Sequence, residues 1–117
     1  MSFRAFFQAY VDAALWSSSD EDGTPLDELG AELEADATAR MEADCRDFFD
    51  ACEPLWAKAD GYSDEQAGHD FWLTRNRHGA GFWDRGLGDL GRKLTDMAHP
   101  YGEADLYVTD AGTIAHY

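Results

Sequence analysis

Basic charge is what this chain most lacks. Nine Lys and Arg stand against 24 Asp and Glu, a formal net charge of −15. That deficit argues against direct nucleic-acid binding through a broad basic face, because duplex affinity rests on neutralising phosphates. It favours basic partners, or a salt-rich cytoplasm. Long apolar runs are also missing. None approaches the roughly 18 residues of a membrane span, and the first residues bring aromatics and a single Arg4 rather than a leader pattern. The expectation is a cytoplasmic protein with no signal peptide and no membrane partner. Cysteine is scarce: Cys45 and Cys52 are the two. On one straight helix they would stand about 10.5 Å apart along the axis, too far for a disulfide, which needs Cα atoms within roughly 7 Å. They read as buried free thiols in a reducing compartment. No third ligand beside them supports a zinc site, and no internal repeat of fixed period is present.

What is present fits one domain, residues 1–117. That length buries roughly two-thirds of the surface of the unfolded chain. Phe3, Phe6, Phe7, Tyr10, Ala14 and Leu15 recur at helical spacing and predict an aromatic-faced helix over 3–16. Ser17 to Gly23 reads as a polar loop. A second helix start follows: Thr24 as cap, Pro25 at the first position, Asp27 and Glu28 at the positive end of the dipole. Leu26, Leu29, Leu33, Ala37, Met41, Cys45, Phe48, Cys52 and Leu55 then recur every three or four residues. They predict one helix of seven or eight turns, kinked or broken near 50–53 by Pro54, with a short tail to Gly61.

The charge is unevenly placed. Between Asp20 and Glu65 there are 16 Asp and Glu against three basic residues, so this segment carries −13 of the −15. The bland reading is a solvated helix face. The sharper one is a carboxylate array (Glu28, Glu32, Asp36, Asp44, Asp47 and Asp50) offered to a basic groove, in imitation of a polyanion.

Ser63-Asp-Glu-Gln66 has the pattern of a capping box, predicting a single helical turn ended by Gly68. Asp70 to Asp84 then reads as a β-hairpin. Phe71 and Leu73 alternate with Trp72 and Thr74, the glycine-rich Asn76–Gly81 turns, and Phe82-Trp83 returns. Leu87, Leu90, Leu94 and Met97 predict a helix ending before Pro100. Asp105–Thr109 and Thr113–Tyr117 predict a last hairpin around Asp110-Ala-Gly112. The fold class expected is α+β: helices, one of them long and acidic, laid over a small antiparallel sheet of two hairpins with an intervening helix.

The stretch Gly68–Gly86, GHDFWLTRNRHGAGFWDRG, packs two Phe-Trp pairs, three arginines and two histidines into nineteen residues. Arg75, Arg77, His78 and Arg85 would make a local basic patch, and accessible backbone N–H groups in a glycine-rich loop can cradle an anion or a nucleotide phosphate. The alternative is structural: Arg75 and Arg85 pair with Asp70, Asp84 or the acidic helix, while Trp72 and Trp83 pack. His69, Asp70, His78, Asp84 and His116 are of metal-ligating type but lack a ligand spacing, so no metal and no cofactor is expected. Asp70 or Asp84 beside His69 or His78 would form an acid–base pair. With no nucleophile motif, the reading leans away from catalysis, to a non-enzymatic protein.

With Leu94-Thr95 and the late DLYVTDAGTI, this stretch resembles a family of small uncharacterised proteins of tailed phages and other mobile elements. The resemblance covers roughly residues 63 to 114. In that family the loop more often reads Asn-Gly-His-Gly, so Arg77 is a departure. The resemblance carries no established activity. It implies a mobile-element setting, where small acidic accessory proteins often inhibit host defence, as anti-CRISPR or anti-restriction proteins. The expected partner is then a basic surface on a host nucleic-acid-binding complex, met in the host cytoplasm. The alternatives are a small enzyme or nucleotide-binding protein working at the Arg/His loop, and a structural domain that homodimerises through the aromatic face of the first helix.

Overall fold

The structure is a computed structural model and describes residues 2–116. Its elements run α1 (Phe3–Ser17), α2 (Ala35–Trp56), α3 (Asp64–Arg75), α4 (Asp89–Ala98), β1 (Leu106–Val108) and β2 (Ile114–His116), with short 3₁₀ turns at Leu26–Glu28, Phe82–Asp84 and His99–Tyr101. The fold is α+β, four helices packed with a two-stranded antiparallel sheet. Tyr107 pairs with Ala115 at the centre of the β1–β2 register. The last strand was expected to reach Tyr117, which lies outside the described residues.

α1 forms where its aromatic periodicity requires. Ser2 caps it, accepting from the Ala5 N–H at 3.1 Å, and Phe6 and Tyr10 are fully buried. From this face Phe6 packs inward against Phe48, Phe49, Trp56 and Phe71. At the centre Phe48 of α2 stacks on Phe71 of α3 with centroids 4.0 Å apart and planes 10° apart. Cys45 and Cys52 are buried free thiols on α2.

Three sequence expectations are corrected. The long acidic helix does not begin at Pro25. Residues 26–28 make one 3₁₀ turn, Gly30 follows at φ +68°, and α2 starts at Ala35. Between them Leu33 bridges Ile114 in parallel, with Ile114 N–H donating to Glu32 O at 2.8 Å and Glu34 N–H to Ile114 O at 2.8 Å. Long-range pairing with β2 thus overrides a locally helical leucine spacing, which both conformations can satisfy. Nor does Pro54 break α2, which runs on to Trp56. Pro54 lies near the helix end and is exposed, as is Asp50, so the carbonyl it leaves unpaired can be met by water.

The largest correction is the first hairpin. HDFWLT is not a strand but the body of α3, and Phe82-Trp83-Asp84 is a 3₁₀ turn. Ser63 does cap, accepting from Gln66 N–H at 3.0 Å, but the helix passes through Gly68 instead of ending there. Gly68 lies where α1 and α3 cross, and a methyl group at that position would collide with the Phe6 carbonyl. Asp70 through Arg75 are all buried. A helical segment covered on every side, as residues 70–75 are, shows no apolar stripe, so its sequence imitates strand alternation.

Candidate functional site

The central stretch folds into a compact knot of polar ties around α3. Asp70 is fully buried. It accepts from Tyr62 Oη at 2.6 Å and Gln66 Nε2 at 3.1 Å, and from Arg85 through Nε at 3.0 Å and Nη2 at 2.8 Å. The two ends of the motif are thereby joined by a forked guanidinium–carboxylate pair. Burial, and then the Asp70 charge beside it, push the Tyr62 phenol well above its ordinary range. Asp84 caps locally, its Oδ1 accepting from Gly81 N–H at 3.0 Å. Thr74 Oγ1 accepts from Phe82 N–H at 3.1 Å, and Asn76 Oδ1 from Ala104 N–H at 2.8 Å. The Trp72 indole donates to Ser17 Oγ at 2.8 Å.

Arg75 is the second hub, only 4% exposed. Its Nη1 donates to Tyr10 Oη at 3.0 Å and Asp44 Oδ2 at 2.8 Å. Its Nε donates to Gly102 O at 2.9 Å and its Nη2 to Tyr101 O at 3.0 Å. Burial alone would weaken its hold on the proton, but Tyr10 and Asp44 raise it instead. One side chain thus ties α3 to α1, α2 and the turn before β1.

The sequence candidates therefore separate. Asp70, Trp72, Arg75 and Arg85 are held in internal bonds. Arg77, His78 and Trp83 are exposed, and with no hairpin beneath them they do not converge with Arg75 and Arg85. Arg77 takes φ +56°, the one non-glycine in the left-handed region among the described residues. It closes α3, donating its N–H to Thr74 O at 3.0 Å while His78 donates to Leu73 O at 3.0 Å. A glycine would take this angle without the steric cost that an L-residue bears there. No group of three or more His, Cys, Asp or Glu among the described residues is placed to hold a metal ion.

Of the six carboxylates singled out, Glu28, Glu32, Asp36, Asp47 and Asp50 are exposed, and Asp44 is partly covered by its pair with Arg75. They do not share one helix: Glu28 and Glu32 precede α2. Asp47 accepts from Tyr101 Oη at 2.5 Å, and Asp50 lies 4.0 Å from Arg46. Glu28, Glu32 and Asp36 make no side-chain hydrogen bond or ion pair among the described residues. The exposed carboxylates extend beyond the expected face, to Asp12, Glu65, Asp89, Asp96, Glu103, Asp105 and Asp110. The pairing of Arg75 with the acidic helix, here at Asp44, was among the expected alternatives; Tyr62 and Gln66 were not anticipated as partners. The Gln66–Asp70 tie alone had a sequence signal, the i, i+4 spacing.

No helix of the described residues is long and apolar enough to cross a membrane. In comparison with known proteins, no family model, no curated protein and no solved structure matches this chain.

Proposed function

We propose that this protein is a non-enzymatic accessory protein of a phage or other mobile element. It acts by protein–protein binding, laying an acidic surface on the basic surface of a host nucleic-acid-binding defence complex. The observation that carries this reading is the direction of the charges. Arg75 and Arg85 turn inward onto Asp44 and Asp70, while most of the remaining carboxylates face water. With those arginines engaged internally, the reading of the loop as an anion cradle loses its two best cations.

The imitation is of the sign and breadth of a polyanion's field, not of phosphate spacing. From Asp36 to Asp50 the helix rises about 21 Å. A duplex would carry about 12 charges over that length. α2 exposes Asp36, Glu42, Asp47 and Asp50 there, with Arg40 and Arg46 among them. Such a surface steers association and sets its salt dependence more than it fixes register.

The test is capture of the host complex by the tagged protein at about 50 mM and about 500 mM salt, a range over which exposed charges become screened. The wild type retains the complex only at low salt. The triple variant Glu28→Lys, Glu32→Lys, Asp36→Lys loses it while keeping its far-ultraviolet circular dichroism. Retention by the triple variant, or indifference to salt, sinks the reading.

A further inference from the structure

The folding of the central stretch accounts for Asp70, Trp72, Thr74, Arg75, Asn76 and Arg85, but leaves His69 over. Its ring lines an open groove of about 450 Å³ between α1 and α3, with Asp12, Ser63, Glu65, Gln66 and Arg85. Trp16 lies against His69, with ring centroids 5.9 Å apart, and is 50% exposed. A tryptophan packed on His69 yet half open to water, beside a polar groove, can anchor a partner's side chain.

We propose that this groove receives an arginine side chain from the basic partner, so the inference rests on the preceding reading and assigns a contact within it. Three features fit a guanidinium. First, Trp16, half exposed and packed on the groove's His69, is an aromatic that a cation can approach. Second, Asp12 and Glu65 supply two exposed carboxylates. Arg85 does not oppose them, because its Nε and Nη2 are bound to Asp70 and its charge is matched there. Third, His69 Nδ1 is buried without a hydrogen-bond partner, 3.5 Å from Asp70 Oδ1. Two lone pairs facing across that gap would repel, so the proton of the neutral ring belongs on Nδ1. Nε2 is then left as an acceptor. Carboxylates, an imidazole acceptor and an indole together suit a planar five-donor cation better than the compact ammonium of lysine.

The probe is the peptide acetyl-(Gly-Arg)₄-amide, titrated into the full chain at low salt and followed by ¹H–¹⁵N spectra of the indole and backbone groups. Saturable shifts at the Trp16 indole and His69 are expected, about tenfold weaker for Trp16→Ala and for Asp12→Asn with Glu65→Gln. The citrulline counterpart should leave the groove unchanged, and the lysine one should bind less tightly. These residues are exposed, and His69→Gln, which keeps an acceptor, serves as a conservative control. Shifts confined to the region of Glu28–Asp36, with host-complex capture indifferent to Trp16→Ala, overturn the groove and leave the acidic-surface reading standing. Capture that resists both salt and the Lys reversals overturns that reading, and the groove's assigned ligand falls with it.

Discussion

Replacing Arg77 with glycine is expected to stabilise the protein. Arg77 holds φ +56°, a conformation that costs an L-residue about 1–2 kcal/mol. Its backbone bonds to the end of α3 require that angle, since the closing motif works only with a left-handed residue there. The side chain is exposed and makes no hydrogen bond or ion pair among the described residues, so little is lost with it. Against the gain stands the greater freedom glycine gives the unfolded chain, about 0.4–1 kcal/mol. The balance is about 0.5–1 kcal/mol in favour of Arg77→Gly, or a rise of about 4 °C in Tm at the upper end. Urea denaturation followed by circular dichroism should show a higher midpoint with an unchanged slope. Arg77→Ala, which keeps the steric penalty, should show almost none of this gain. A lower midpoint for the glycine variant, or equal gains for glycine and alanine, would refute the assignment of Arg77 as the left-handed closing residue.

Asp70→Ala should destabilise by about 3–5 kcal/mol, because it leaves Arg85, Tyr62 and Gln66 facing a site with no acceptor; a change below about 1 kcal/mol in chemical denaturation would contradict the buried hub. Stability should also fall on the alkaline side. Burial pushes the Cys52 thiol up to about 11 from an ordinary 9.0, and raises Cys45, Tyr10, Tyr62 and Tyr101 in the same direction. The unfolded chain then releases these protons first. The stabilisation is complete below about pH 9 and is lost progressively as pH rises through the folded-state values. Equal urea midpoints at about pH 8 and about pH 10 would count against it.

Where the sequence carries a periodicity that matches burial on one side, the fold was legible. α1, α4 and the β1–β2 hairpin fall close to where their aromatic, leucine and turn patterns put them. α3 was not legible, for a physical reason: its second half, residues 70–75, is buried throughout and needs apolar or paired residues all round. Phe71, Trp72, Leu73 and Thr74 therefore alternate as a buried strand would. Leu26–Leu33 misled in the opposite way, since a leucine spacing of three and four is neutral between a helix and a turn followed by an extended segment. Gly30 was the residue that could have decided it. In the site, the structural role of Arg75 and Arg85 was foreseen as an alternative. Their geometry was not, because it depends on the 3₁₀ turn at Phe82–Asp84 and on Tyr101 and Gly102, far along the chain. Trp16 gave no signal, since half-exposure is set by what fails to cover it.

The Arg75 hub has a consequence for synthesis. Its guanidinium is enclosed by Tyr10 and Asp44, which precede it in the chain, but two of its acceptors, Tyr101 O and Gly102 O, follow it by 26 and 27 residues. Until those carbonyls emerge from the ribosome, closing the helices would strand a cation with half its partners. The nascent chain is therefore expected to stay open, and sensitive to protease, until Gly102 has left the ribosome.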